Sequence, residues 1–428
     1  MSLYLLFFIS LYIVNKKYNS YLLRVVMMFY IVASICAIYT HIFIAPEAYY
    51  TFFSIIFHLF TLYLFLLPII TYSKHDKTRY IILLKPSAFK VLTYFCVALQ
   101  IFSIAYFIPY DFRIFFSGDL GALRSALTNG EIDTLSGGGI FRTIAGVASY
   151  YYCISIILFF YSIAFLKNSR RLNALLLISS LSRIFQSFSY VGRDGIIFWI
   201  FSFAFSYCIF RPYLSDENNR KIKSAFIGCG GFAIILLGAI SISRFSGTDK
   251  GVINWLIDYF GQPLNNFGQL FDKFHEYTGN QSIWPWFYGN KGARGVDAVT
   301  ASAEFYNIYG FNSNIFFTFI GSFYKAYGPI LTLFLSILFS FFFSSKLRKR
   351  RIGMAEFLML MFVGQIIWNC YFYYMFANRV GNLFIVSLII IGIYCRLNYS
   401  RHVIFSPQAE KRINYKSEAK PLRISANT

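Results

Sequence analysis

The chain has 428 residues, of which 57% are hydrophobic, 21% aromatic and only 13% charged. That is more apolar surface than a soluble domain of this length can bury, which excludes a water-soluble globular protein. A formal charge of +21 would suit a nucleic-acid binder, but its distribution among the loops removes that reading.

Apolar runs long enough to cross a bilayer as helices recur along the chain. They predict an all-α, polytopic integral membrane protein with spans near 2–14, 21–44, 48–72, 89–109, 140–166, 172–190, 194–210, 224–242, 326–345, 354–377 and 381–396, about 11 in all. The first is short, and Lys16 and Lys17 follow it rather than precede it, so an anchor fits better than a signal peptide. Residues 1–109 and 140–242 thus form the N-terminal and central helices, and 326–396 the C-terminal ones.

Two longer connections interrupt this rhythm. The first, 110–139, begins "YDFRIFFSGDLGALRSAL", with room for one short helix, and ends in a glycine triplet. The second, 243–325, has room for several short helices and carries Trp255, Trp284 and Trp286 among many Tyr and Phe, too aromatic for a disordered segment. Residues 397–428 form a basic tail expected to lack structure.

With the N-terminus numbered outside, the basic clusters at Lys16/Lys17, 74–90, 167–171, 211–223, 346–351 and the tail all fall on the inner side. Roughly 27 Lys and Arg then face about 6 Asp and Glu inside, against about 11 and 12 outside. The charge is therefore a topology signal, with anionic membrane lipids rather than nucleic acid as its partner. Both long connections lie outside, the N-terminus with them and the C-terminus within.

The seven cysteines lie in or beside spans without paired spacing, and the five histidines are scattered. Neither a disulfide framework nor a metal site is expected, and no cofactor.

Charges at the outer face carry the chemistry. "YVGRDGIIFWI" sets Arg193 and Asp194 between glycines at the head of a span. As plain structure, Asp194 caps the helix and Arg193 snorkels to the interface. As a site, free amides, a guanidinium fork and glycines that admit a ligand make a phosphate cradle. Arg244 in "SISRFSG" closes the next span, Arg142 opens the fifth, and Arg379 lies in the turn "FANRVGN". Arg294 sits in "NKGARGVDA", and Arg113 and Arg124 complete the outer set. Arg183, in "SLSRIFQSF", falls near mid-membrane, where a charge faces a cavity or a buried partner.

Arg193 at the head of a span, "ISRFSG" closing the next, "DYFGQPLNNF" opening the long outer connection and "ASAEFYNIYGFNSN" ending it give a chain that resembles the Wzy-type O-antigen polymerases, the oligosaccharide repeat-unit polymerases of lipopolysaccharide biosynthesis. A second matching Arg-Gly motif in a separate outer loop is not found. The resemblance implies a multi-pass protein of the bacterial inner membrane. It implies an undecaprenyl-diphosphate-dependent glycosyltransferase that moves a growing glycan from its lipid carrier onto a new lipid-linked repeat unit at the periplasmic face. A chain-length regulator and a flippase are the protein partners it implies. Arg193, Arg244 and Arg294 best match the family's substrate-binding arginines, with Arg142, Arg379 and Arg183 in support.

Such chemistry gathers negative charge on a leaving diphosphate, which preorganised guanidinium groups stabilise. A base for the attacking hydroxyl is sought among Glu304, Asp194, His275 and Asp258. Trp284 and Trp286 in "WPWFYG" stack on sugars or mark the interface. The alternatives are a flippase for the same lipid-linked oligosaccharide, which should carry charge through the bundle centre, and an O-antigen ligase-like transferase. A membrane O-acetyltransferase would need a His-centred site that His41 and His58 do not make.

Overall fold

The computed structural model describes residues 1–46, 50–75, 79–116, 139–166, 170–245, 251–288, 306–310 and 316–405, with residues 115, 229, 232–245, 252, 281, 287, 288, 401, 404 and 405 as backbone alone. In chain order the main elements are α1 (Ser2–Asn15), α2 (Tyr21–Tyr39), α3 (Phe52–His75), β1 (Tyr80–Leu84), α4 (Pro86–Phe115), α5 (Gly139–Tyr150), α6 (Tyr152–Tyr161), α7 (Arg170–Ser179), α8 (Ser182–Phe188) and α9 (Asp194–Phe210). Then come α10 (Asp216–Phe245), α11 (Val252–Lys273), α12 (Thr318–Leu347), β2 (Arg351–Ile352), α13 (Met354–Ile367), α14 (Arg379–Leu397) and β3 (Tyr399–Phe405). Among the described residues, eight helical stretches are long and apolar enough to cross a membrane: Tyr21–Ile44, Phe52–His75, Pro86–Ile114, Gly139–Leu166, Asp194–Tyr213, Thr318–Leu347, Met354–Tyr371 and Arg379–Leu397. This is a multi-pass α-helical membrane protein.

Three expected spans are not among these eight. α1 has only 14 residues, yet it is packed firmly, its Tyr4 hydroxyl meeting His58 Nδ1 at 2.7 Å and Phe8 stacked on Tyr30. The 172–190 span is two short helices, because Ser179 and Ser180 turn their hydroxyls onto the carbonyls of Leu176 and Leu177 and the chain breaks before Ser182. The 224–242 span lies within α10, most of whose side chains fall outside the described set.

A three-stranded sheet, in the order β2-β1-β3, is a small addition to the helical bundle, and its β3 gives structure to the first part of the tail, of which residues 406–428 lie outside the described residues. β1 pairs in parallel with β2 (Tyr80 opposite Arg351) and antiparallel with β3 (Tyr80 opposite Phe405). The β-branched and aromatic residues of "YIILL" and "YSRHVIF" suit that pleated layer.

Basic loops collect at the sheet end. Lys17 and Lys74 both lie over the Tyr18 ring, Arg211 sits 3.9 Å from the Tyr21 centroid, and Arg396 pairs with buried Glu356 at 3.1 Å. α9, α13 and α14 run between this end and the one where Asp194, Tyr373 and Arg379 lie, as Phe210 against Phe357 confirms at 4.7 Å.

Among the described residues of the long connection, a 22-residue helix, α11, is followed by the short helical segments Asn280–Ser282 and Pro285–Tyr288. α11 lies close along α2: a Cβ on Gly261 would stand 2.6 Å from the Cys36 carbonyl oxygen, and Asn265 Nδ2 donates to Ala37 O at 3.1 Å. α12 begins inside the expected loop and breaks at Gly328, whose φ of 73° precedes Pro329. The Lys325 and Ala326 carbonyls freed by that break accept instead from the Thr278 and Gly279 amides, at 3.0 and 2.8 Å.

Candidate functional site

The turn between α8 and α9 folds back so that Ser187 lies against the head of α9. Its Oγ accepts from the Gly195 amide at 3.1 Å and donates to Asp194 Oδ1, satisfying a free amide of the first helical turn. Arg193 holds the cap position without a side-chain cap bond, and Asp194 is the first helical residue. The predicted capping role of Asp194 is thus taken by Ser187, and its carboxylate turns to other partners.

Those partners are Tyr373, in the segment between α13 and α14, and Arg183, on α8. Asp194 Oδ2 accepts from the Tyr373 hydroxyl at 3.3 Å and faces Arg183 Nη2 at 3.7 Å. Arg183, expected near mid-membrane with a cavity or a buried partner to face, has Asp194 as that partner. The break before Ser182 places it level with the first turn of α9, its guanidinium 4.5 Å from the Tyr150 centroid and 5.7 Å from that of Phe198. Its Nη1 donates to Gln186 Oε1, which also accepts from Ser149. The pair is asymmetric: the Arg183 side chain is 9% exposed and that of Asp194 37%. A buried cation thereby fixes a carboxylate that solvent or a ligand can reach.

The other predicted cations surround this pair unevenly. Arg142, on α5, donates to the Tyr190 hydroxyl at 3.2 Å, on the surface of the same turn. Arg379 is exposed at the start of α14, and the preceding Asn378 both caps that helix (2.7 Å to Gly381 N) and donates to the Tyr150 hydroxyl at 3.3 Å. Arg193 is half-buried, and Arg113 is exposed in the last turn of α4. Arg244 lies in the last turn of α10, its side chain outside the described set, and Arg124, Arg294 and Glu304 lie outside the described residues. His275 stands exposed beyond α11, and among the described residues no hydrogen bond or ion pair joins it to the Arg183–Asp194 pair. Asp258 is buried on α11. The Trp286 amide donates to Asn382 Oδ1 at 3.4 Å, holding Trp286 to α14.

The flanking glycines act in packing rather than in ligand approach. A Cβ on Gly195 would lie 2.7 Å from the Arg183 carbonyl oxygen and 2.6 Å from Ser187 Cβ. Gly195→Ala is therefore expected to force α8 from α9 and to lower stability by about 1–3 kcal/mol, the usual cost of overpacking. Thermal unfolding in detergent reads this, and a midpoint within 1 °C of the parent, roughly the noise of such a scan, would show that the α8 turn yields freely.

Tyr150, Gln186, Ser187 and Tyr373 were missing from the sequence-based set. Ser187 carried a faint signal, a hydroxyl just ahead of a turn that opens a helix with Asp. Tyr373, within "YFYYMF", is indistinguishable by sequence from an interfacial aromatic.

Beneath the pair, Tyr152, Ser202, Gln365 and Asn369 close a buried polar network: Tyr152 donates to Gln365 Oε1 (2.7 Å), and Asn369 Nδ2 lies 3.0 Å from Ser202 Oγ. Its members carry no charge.

The site belongs to a multi-pass helical membrane protein with a buried Arg, an accessible Asp and peripheral arginines at the end opposite its basic sheet. Compared with known proteins, the chain matches no family model, no curated protein and no solved structure.

Proposed function

We propose that the protein is a glycan polymerase of the O-antigen type, transferring a growing glycan from undecaprenyl diphosphate to a new lipid-linked repeat unit at the periplasmic face of the bacterial inner membrane. The observation that carries this reading is the Arg183–Asp194 pair at the end of the bundle away from the basic loops, which on the positive-inside rule is the outer end.

In this mechanism the acceptor sugar hydroxyl attacks the anomeric carbon of the donor glycan. Its proton passes to the Asp194 carboxylate, and the bond from that carbon to the diphosphate oxygen breaks. Undecaprenyl diphosphate leaves with the bonding electrons. Arg142, Arg193 and Arg379 stand where they can meet the diphosphate charge, as guanidinium forks suit. Arg183 touches no substrate and acts through Asp194, as a positioning residue.

The test is reconstitution in liposomes with synthetic undecaprenyl-diphosphate-linked repeat units and gel analysis of glycan length. Wild type should give a ladder, and Asp194→Asn should slow it about a hundredfold or more, as loss of a general base does. Arg193→Ala should weaken donor use, with Arg193→Lys a poor rescue. A single transfer without a ladder would make the protein a ligase. Labelled substrate crossing the bilayer without transfer would make it a flippase.

A further inference from the structure

A row of aromatic rings leads away from Asp194 across the same end of the bundle. Tyr373, whose hydroxyl meets the carboxylate, is stacked on Phe316 with centroids 6.1 Å apart and planes inclined by 16°. Phe316 meets Tyr259 of α11 at 4.9 Å and 75°. Phe372 underlies both Phe316 and Tyr259, at 5.3 and 5.2 Å. The two tyrosines are each 38% exposed, while Phe372 is buried.

The row is anchored through its backbone. The Phe316 carbonyl accepts from Asn266 Nδ2 at 3.2 Å, the Phe372 carbonyl from the Thr318 amide at 3.2 Å, and the Phe260 carbonyl, next to Tyr259, from the Tyr371 hydroxyl at 2.7 Å. Rings that only mark a membrane interface need no such mutual fixing. A preorganised, partly exposed surface of π faces edged by phenol hydroxyls suits a ligand that is apolar on one face and hydroxyl-bearing at its rim. That is the chemistry of a pyranose ring, whose C–H face lies on the negative face of an aromatic ring while its hydroxyls take hydrogen bonds.

We propose that Tyr373, Phe316 and Tyr259 form a sugar-binding terrace that carries the glycan of the acceptor repeat unit and delivers its terminal hydroxyl to Asp194. The assignment rests on the polymerase reading for the word acceptor, while sugar binding itself can be tested without it. Tyr373 stands at the junction, its ring in the row and its hydroxyl on the carboxylate. Its hydroxyl already donates to the carboxylate, and a phenol keeps its proton at neutral pH, so it serves as a donor there.

The experiment pairs two readouts on purified protein in nanodiscs. Saturation-transfer NMR reads binding of a panel of synthetic oligosaccharides built from common bacterial hexoses, and the liposome assay reads KM and kcat for the acceptor. Wild type, Tyr259→Leu and Phe316→Leu are compared with Tyr259→Trp, which keeps a ring, and with Phe112→Leu, an exposed ring at the same end of α4. Loss of one ring should raise the acceptor KM about tenfold and leave kcat within about twofold, with transfer to the C–H protons of the sugar lost. Tyr259→Trp and Phe112→Leu should retain both. Sugar signals unchanged in both leucine variants, or absent from wild type across the panel, would overturn the terrace and return the rings to interfacial anchoring. Ring-dependent binding without glycan transfer would keep the terrace and sink the polymerase. A ladder indifferent to both rings would do the reverse.

Discussion

Under the proposed polymerase function, Arg183→Lys is expected to lower glycan-transfer kcat by roughly 10²-fold, and Arg183→Ala by up to about 10³-fold, the range found when one preorganised electrostatic group is removed from a site. The acceptor and donor KM should stay nearly unchanged, because the guanidinium is buried behind Asp194 and meets no ligand. Lysine keeps the charge but loses three things the planar group does at once. It cannot lie flat on Tyr150, donate to Gln186 and face Asp194 from one rigid fork. The carboxylate then turns toward solvent, with only Ser187 and Tyr373 to hold it. A merely structural role would give a different pattern, with kcat and KM falling together with the thermal midpoint. Asp194 is more than a third exposed, so water screens it once Arg183 is gone, and the stability loss should be small beside the loss of rate. The double variant Arg183→Ala with Asp194→Asn should be scarcely slower than Asp194→Asn alone, since both act through one group. Additive losses would mean that Arg183 reaches the substrate itself.

The apolar spans could be read directly because a bilayer demands long apolar runs and the basic loops mark one side of it. Gathering of Lys17, Lys74, Arg211 and Arg396 at one end is the same information in three dimensions. The small sheet could not be read this way. "YIILL" is a short apolar run between two helices, and β2 has two residues, so both take their meaning from pairing partners more than 200 residues away in sequence. The site was legible as a list of charges and not as an arrangement. Arg193 drew attention because it stands at a helix head, whereas the pairing of Arg183 with Asp194 depends on a helix break before Ser182 and a reversal at Tyr190–Gly192. Serine hydroxyls that compete with the backbone caused that break. Inside a hydrophobic stretch their effect on helix continuity is hidden by the apolar pattern around them. Gly192 and Gly195 were expected to admit a ligand, and the atoms that stand closest to them belong to α8 and to Asp194.

The largest effect on stability is expected at Arg79, a residue at the sheet end that charge reading treats as one more inner cation. It is fully buried, and its guanidinium donates to three main-chain carbonyls: Tyr72 O and Leu347 O at 2.8 Å and Lys349 O at 2.9 Å. Tyr72 lies in the last turn of α3 and Leu347 at the end of α12, so one cation takes up the unpaired carbonyls of two membrane-crossing helices. Among the described residues no carboxylate pairs with it, and the partial negative charge at those helix ends, with the Tyr72 ring 4.1 Å away, offsets part of the cost of burying it. Arg79→Met should therefore destabilise the protein by about 3–5 kcal/mol, since up to three carbonyls lose a charged donor in a place water does not reach. Arg79→Lys should recover only part, because one ammonium cannot span carbonyls from two helices and the chain beyond them. The loss should be local first. Tyr80 N, which donates to Arg350 O at 2.9 Å, opens the β1–β2 pairing, so amide exchange should accelerate in β1 and β3 before the bundle unfolds. Hydrogen exchange on the detergent-solubilised protein distinguishes this order from a global loosening. Protection in β1 that survives Arg79→Met would mean that the sheet, and not the arginine, joins the two helix ends.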